Sequence, residues 1–261
     1  MVFEPLDAIP LGIFFAAATV MALVGLEAGY QIGRWRHNHA VGEKEAPIGA
    51  MVGAILGLLA FMLAFTFSLA ASRFDARRTT ILNEANAIGT TYLRARLLPE
   101  PQRSETAKLL REYVDIRIRA VQEGTITETV QRSEELHEKI WDQAVAAAEK
   151  HSDSVLTGVY IQSLNEMIDL HATRLLVGAR SRIPITIWIG LFSLAFVGMA
   201  SMGYQAGLSA TRRSPAMLFL AVSFAGVLYL IVDLDRPHQG MLKVGQQAMI
   251  DLQHTMQPDE K

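Results

Sequence analysis

The sequence contains no cysteine and comparatively little charge. Of its 261 residues, 19% are Asp, Glu, Lys or Arg, against ~25% in typical soluble domains. Without cysteine the chain can form no disulfide, iron–sulfur cluster or thiolate zinc site. It also lacks a Walker loop, a nucleophile elbow, a His-Glu-x-x-His helix and a dinucleotide fingerprint. We therefore predict that the protein is not an enzyme and binds no cofactor.

Positive charge is not in excess either. The net charge is −2, and residues 73–182 hold 16 of the 24 Lys and Arg and 16 of the 26 Asp and Glu. Nucleic-acid binding depends on clustered Lys and Arg that displace counterions from phosphates. A balanced segment supplies no such cluster, so we expect no nucleic-acid partner.

Outside this charged middle segment, the sequence consists of long apolar runs. About 20 apolar residues in a helix span a hydrocarbon core ~30 Å thick. Four runs reach or approach that length: residues 9–32, 48–72, 183–208 and 215–232. Acidic rather than basic residues precede the first run, so we expect a retained helix and not a cleavable signal peptide. The sequence predicts an all-α, polytopic membrane protein with four transmembrane helices in a lipid bilayer.

The charged segment between the second and third runs also has a helical pattern. Its apolar residues recur with a period near 3.6 over residues 102–122, 129–150 and 155–176. No glycine or proline interrupts residues 61–88, which predicts that the second span continues out of the membrane as one helix. We likewise expect the helix over residues 155–176 to continue into the third span. Residues 246–256 predict a short amphipathic helix that packs on the helical segment.

These features give a predicted organisation in four parts. Transmembrane helices 1 and 2 occupy residues 1–72, the extramembrane helical segment occupies 73–182, helices 3 and 4 occupy 183–233, and a tail follows over 234–261. Basic residues of the short loops favour cytoplasmic loops; these are Arg34, Arg36, Lys44, Arg212 and Arg213. Six arginines at the opposite membrane ends favour the reverse; these are Arg73, Arg77, Arg78, Arg174, Arg180 and Arg182. We expect a multi-pass protein of the cell (inner) membrane, with its orientation open.

The second span has the most regular pattern in the chain. Gly49, Gly53 and Gly57 recur every fourth residue, and Phe61 and Phe65 continue the same stripe. Glycines at this spacing let helix backbones approach closely, so one interpretation is packing within a subunit or between subunits. In the other interpretation, Phe61 and Phe65 form a hydrophobic constriction in a pore. Hydroxyl groups would then lie near the pore mouth, from Thr66, Ser68 and Ser72.

Charged residues at the ends of the spans are further candidates. Arg73, Arg77 and Arg78 act either as interfacial anchors or, in an oligomer, as a ring of positive charge at the pore mouth. An ionisable residue inside a span is costly unless it is paired or faces water. Glu27 is therefore either functional or a structural clamp residue at the interface, where it snorkels to water or pairs with Arg34.

The end of the fourth span is predicted to be a structural clamp. Asp233, Asp235 and Arg236 lie there, and carboxylates two positions apart do not share a helix face as a catalytic pair would. His37 and His39 are expected in a loop, where one histidine pair is an incomplete metal site. We therefore predict no bound metal.

Several stretches of the chain resemble the bacterial family called bestrophin-like, whose members are mostly uncharacterised. The resemblance lies in residues 63–78, 83–94 and 97–99, in residues 27–30 with Gly33 and Arg34, and in residues 234–237 with Gly240 and Val244. It covers most of the chain in order.

A more distant resemblance connects the chain to true bestrophins, which are oligomeric anion channels. It rests on a second helix whose apolar stripe ends at an Arg-aromatic junction, as at Arg73 and Phe74. The resemblance implies a homo-oligomer that passes small anions, a neck at Gly57, Phe61 and Phe65, and a cytoplasmic helical segment. The chain lacks the tandem tryptophan and the acidic calcium clasp of bestrophins, so we expect no calcium gating. The alternative hypothesis is a non-conducting membrane scaffold or sensor whose helical segment binds a partner.

Overall fold

The computed structural model describes residues 9–39, 45–123, 126–150, 154–180, 182–209, 215–236 and 240–257. Within these ranges the chain forms α-helices and no strand. In chain order the helices are α1 (Leu11–His39), α2 (Glu45–Ala95), α3 (Gln102–Glu123), α4 (Ile126–Lys150), α5 (Val155–Arg180), α6 (Ile185–Leu208), α7 (Ala216–Asp235) and α8 (Gln247–Met256).

Four of these helices, α1, α2, α6 and α7, are long and apolar enough to cross a membrane. This confirms the predicted all-α class with four transmembrane helices. The first of them is longer than predicted, because α1 continues to His39. The expectation that His37 and His39 lie in a loop is therefore wrong. Gly33, the residue directly after the first predicted run, does not end the helix but packs against the backbone of Tyr204 in α6.

Helix α2 is a single helix of 51 residues, as the absence of glycine and proline from residues 61–88 predicts. Pro47 lies in its first turn, where the missing N–H of proline has no intrahelical partner to lose. The uncharged residues 48–72, predicted as the second span, lie in the first half of α2, and its charged residues follow from Arg73 onward.

The prediction that α5 continues into the third span is wrong. Helix α5 ends at Arg180, and α6 begins at Ile185 after Pro184, whose φ of −55° and ψ of 141° are extended rather than helical. A proline disfavours helical backbone at the residue before it. The N–H of that residue, Ile183, instead donates to the Oδ1 atom of Asp235 at 3.1 Å.

The chain divides into two compact units. The membrane unit consists of residues 3–74 and 182–243, and the helical unit consists of residues 75–181 and 244–261. In the membrane unit, α1 packs against α6 and α7. Its apolar core includes Trp188, Leu191 and Met199 of α6, which are almost completely buried.

In the helical unit, α3 packs against α4 and α8, and α4 packs against α5. The centre of its core holds Tyr113, Ile140 and Leu164, each fully buried. Helix α8 contributes Met249 and Met256 to the same core. The short amphipathic helix expected near residues 246–256 is thus present, and its apolar side is covered by protein.

Helices α1 and α6 approach each other closely enough to require glycine. A Cβ atom added to Gly29 would lie 1.9 Å from the carbonyl oxygen of Ala200, and one added to Gly203 would lie 2.0 Å from that of Leu26. Such backbone contact between small residues stabilises helix pairs in lipid. Around Gly53 of α2, in contrast, no described atom lies within 4 Å of an added Cβ. The close packing within this subunit uses the glycines of α1 and α6.

Candidate functional site

One face of α2 is open in the membrane unit. Phe61 and Phe65 are 65% and 55% exposed, and a Cβ added to Gly57, one turn earlier, would have no described atom within 4 Å. Ser68 and Ser72 are exposed as well, and their positions continue the same stripe at helical spacing. This open face of α2 combines the uncovered backbone at Gly57, the two phenylalanine rings and the two serine hydroxyl groups. Gly49, at the start of the stripe, faces the side chain of Gln205 instead.

Thr66 does not belong to this open face. Its side chain is fully buried, and its hydroxyl donates to the carbonyl oxygen of Met62 at 2.7 Å. A step of five residues from Phe61 to Thr66 rotates the side chain by about 140° around the helix. The expectation that the Thr66 hydroxyl lies near a pore mouth is therefore corrected.

The three arginines after the second span have three different environments. Arg73 lies 4.0 Å from Asp235, Arg77 is buried, and Arg78 is exposed. Arg73 and Arg77 are four positions apart and so share one side of α2, which is not the side of Phe61. A ring formed by all three arginines does not agree with this arrangement, because Arg78 alone of the three has an exposed side chain.

The charged end of α7 connects several elements of the membrane unit. Asp235 accepts the N–H of Ile183 and lies 3.7 Å from Arg182, while Arg236 donates to the carbonyl oxygen of Ile9 at 2.6 Å. Asp233 accepts the backbone N–H groups of residues 241 and 242 at 2.9 and 3.1 Å. These contacts hold the end of α7 against the chain before α1 and the chain before α6.

The turn after α7 depends on a glycine. Gly240 has φ of 140°, in the region that side chains rarely adopt, and a Cβ at this position would lie 2.0 Å from the Oδ1 atom of Asp233. In the first span, Glu27 is half-buried and accepts a hydrogen bond from the amide of Gln31 at 2.9 Å.

A second polar site, which sequence reasoning missed, lies inside the helical unit around Glu84 of α2. The Glu84 side chain is fully buried, and the hydroxyl of Tyr113 in α3 donates to its Oε1 atom at 2.8 Å. Arg117 of α3 pairs with the same carboxylate at 3.2 Å, and Arg174 of α5 donates to its Oε2 atom. Two guanidinium groups and one phenol thus surround a single buried carboxylate.

Two histidines complete this Glu84 cluster, which we define as Glu84, Tyr113, Arg117, His137, His171 and Arg174. The Nδ1 atom of His171 in α5 lies 3.0 Å from the Tyr113 hydroxyl. The ring of His137 in α4 lies 4.9 Å from that of Tyr113 and 4.8 Å from that of His171. Four helices of the unit therefore contribute side chains to one buried polar site.

The charges of the cluster determine its protonation. Burial alone would raise the pKa of Glu84, but the contact with His171 and the charges of Arg117 and Arg174 more than offset burial and lower it. Burial raises the pKa of Tyr113, and the charge of Glu84 raises it further. Burial also lowers the pKa of His137 to about 4. At neutral pH the cluster therefore holds a carboxylate, two guanidinium ions and a neutral His137.

One signal in the sequence could have located this cluster. His171 falls on the apolar stripe of the helix over residues 155–176, where a polar side chain requires a buried partner. Within the described ranges, no set of three or more His, Asp or Glu residues is arranged to hold a metal ion. The chemistry available to the cluster is thus hydrogen bonding, ion pairing and proton uptake.

Comparisons with known proteins agree with this architecture. The sequence matches the family model described as Bestrophin-like domain over residues 16–249. No curated protein matches the chain. The similar solved structures include a membrane protein with a TM-score of 0.69 at 15% identity, over 94% of this chain and 97% of that one. They also include a bacterial bestrophin homologue from Klebsiella pneumoniae, with a TM-score of 0.67 at 15% identity, over 95% of this chain and 97% of the homologue.

Proposed function

Because this chain belongs to the bestrophin-like family, we propose that it forms an oligomeric membrane channel for small anions whose pore is lined by α2. In this proposal the open face of α2 points toward the axis of the oligomer. Phe61 and Phe65 constrict the pore, and Ser68 and Ser72 line the wider part beyond them. Arg78 supplies positive charge at the end of the span, which favours anions over cations.

The exposure of Phe61 and Phe65 supports this proposal most directly. Only 11% of the apolar stretch of α2 is buried within the subunit, whereas 44% of the apolar stretch of α7 is buried. A helix with so little packing of its own is available for contacts around a symmetry axis. Two phenylalanine rings one helical turn apart would exclude water from a narrow passage and thereby limit conduction. The serines on the same face suit a water-filled path better than hydrocarbon.

Anion flux into liposomes that contain the purified oligomer tests the proposal. We expect the double variant Phe61→Ala, Phe65→Ala to conduct several-fold faster than the unmodified protein, because smaller side chains leave a wider and wetter constriction. The matched control is Phe219→Ala, which removes a ring that is 70% exposed on α7. This control should leave the flux unchanged.

Two results would contradict the proposal. A folded oligomer that passes no anion, with or without the two phenylalanines, would leave the non-conducting scaffold or sensor as the better hypothesis. An equal rise of flux in the Phe219→Ala control would show that loss of any exposed ring increases leakage, so Phe61 and Phe65 would not be the constriction.

A further inference from the structure

We propose that the Glu84 cluster is an acid-operated latch in which proton uptake by His137 releases α4 from the helices that surround it. The closed latch is the arrangement in the structure, with the His137 ring against Tyr113 and His171. This regulatory role concerns the helical unit alone, and it stands whether or not the protein conducts ions.

The surroundings of His137 cannot accept a second N–H group. The side chain is 7% exposed, and within the described ranges its Nε2 atom is buried without a hydrogen-bond partner. A neutral imidazole can hold its single proton on Nδ1 and leave Nε2 bare. An imidazolium has N–H groups on both nitrogens, so protonation would create a buried donor with no acceptor. Such a donor costs the full free energy of its lost hydration.

The charges that face His137 also oppose a proton. Helix α2 contributes the Glu84 carboxylate, and α3 contributes Arg117 over the ring of Tyr113. Helix α5 contributes the ring of His171 against His137, and Arg174, which pairs with the same carboxylate. Two permanent positive charges thus stand against one negative charge, which already accepts a hydrogen bond from Tyr113. A third positive charge on His137 would be repelled and would have no carboxylate of its own.

The direction of the pH effect follows from this imbalance. Burial is the main cause that lowers the pKa of His137, from 6.5 to about 4 in the closed form. His171 and Arg117 lower this pKa further, whereas the charge of Glu84 raises it. Once α4 is released, the histidine regains an ordinary pKa and binds a proton more readily. The closed form is therefore fully favoured above about pH 6.5 and loses its advantage as the pH falls toward about 4. Each pH unit within this window multiplies the ratio of open to closed forms by up to about tenfold.

Helix α4 is the element that this effect would move. Its fully buried residues near the cluster are Leu136 and Ile140, and the next two buried positions are Ala144 and Ala147. Alanines bury little apolar area, so the hydrophobic free energy that holds the second half of α4 is small. The opposite side of α4 is exposed and charged, with Glu134, Glu138, Lys139 and Asp142, so it adds no burial that would hold the helix in place.

Hydrogen exchange of the full-length protein between about pH 7 and about pH 4.5 tests the latch, with each rate corrected for the intrinsic effect of pH. We expect the protection of α4 amides to fall by about tenfold or more from about pH 6.5 to about pH 5. His137→Gln keeps a polar side chain but cannot take up a proton, so its α4 protection should not change with pH. The matched control His254→Gln removes an exposed histidine of α8 and should behave as the unmodified protein.

Three outcomes would overturn the latch. The first is constant corrected protection of α4 in the unmodified protein across the pH range. The second is a fall in His137→Gln as large as in the unmodified protein; if that variant does not fold, His137→Phe, which also cannot titrate, replaces it. The third is simultaneous loss of protection in α3, α4 and α5, because that pattern indicates acid unfolding of the whole unit and not release of one helix.

Discussion

The effect of Glu84 on the stability of the helical unit depends on its partners, because its side chain is fully buried. A fully buried carboxylate loses its hydration, which in isolation would cost several kcal/mol or cause the group to bind a proton. Here Tyr113, Arg117 and Arg174 supply hydrogen bonds and opposite charge. The same asymmetry applies to the arginines, because without Glu84 two buried guanidinium groups would face each other with no anion between them. Intact, the cluster fixes how α2, α3 and α5 align.

We therefore expect Glu84→Ala to lower the free energy of unfolding of the helical unit by about 3–5 kcal/mol, the cost of breaking a buried ion pair. Pulse proteolysis of the full-length protein across a urea series measures this loss. The matched control is Glu135→Ala. The Glu135 side chain pairs with Arg132 and is 46% exposed. Solvent screens such a pair, so the urea midpoint should hardly change. Equal losses in the two variants would mean that Glu84 stabilises the unit no more than a surface residue does.

At the scale of helices, the glycine patterns show what one sequence can and cannot predict. Glycines recur every fourth residue in α1, at Gly25, Gly29 and Gly33, just as they do in α2 at Gly49, Gly53 and Gly57. We assigned significance to the second set, yet the backbones in close contact within the subunit are those of α1 and α6. The pattern predicts that a helix can be approached closely. It does not identify the partner, because that depends on contacts between distant parts of the chain.

The buried cluster was missed for the same reason. Periodicity predicted helices over residues 102–122, 129–150 and 155–176, and the structure has α3, α4 and α5 there. The uninterrupted α2 was also predictable, since helix breakers are absent from it. The cluster, however, requires that Glu84, Tyr113 and His171 meet although up to 87 positions separate them (171 − 84). That meeting depends on the rotation and the axial shift of each helix, which local sequence leaves undetermined.

Gly29→Ala tests the close contact of α1 and α6. The added methyl group would lie 1.9 Å from the carbonyl oxygen of Ala200, so the two helices must move apart. We expect a loss of about 1–3 kcal/mol, the usual cost of overpacking, visible as a lower thermal unfolding midpoint in detergent. Gly190→Ala is the matched control in α6, where an added Cβ has no described atom within 4 Å. It should keep or slightly raise the midpoint, since alanine favours helix. A normal midpoint for Gly29→Ala would contradict the contact.

For the molecule as a whole, the charges at the membrane ends bear on orientation. Arg34 and Arg36 lie in the last turns of α1, and the sequence has Lys44, Arg212 and Arg213 on the same side of the predicted spans, whereas six arginines lie at the other ends of the spans. By number alone these two sets nearly balance under the positive-inside rule. The resemblance of the sequence to bestrophins predicts that the helical segment is cytoplasmic, and the next prediction tests this expectation. The charged residues of that segment, 16 basic and 16 acidic over residues 73–182, would then remain in the compartment where the chain is made.

We expect a cysteine at position 131, exposed on α4, to be protected from an impermeant thiol reagent in intact cells and to react after permeabilisation. The chain has no other cysteine, so any labelling of the Gln131→Cys variant reports this site alone. His39→Cys, exposed at the end of α1, is the matched control, and it should react in intact cells because one membrane crossing separates it from the helical segment. The opposite labelling of the two variants would place residues 73–182 outside the cell. The basic residues at and after the end of α1 would then set the orientation, and the likeness to bestrophins would not extend to topology.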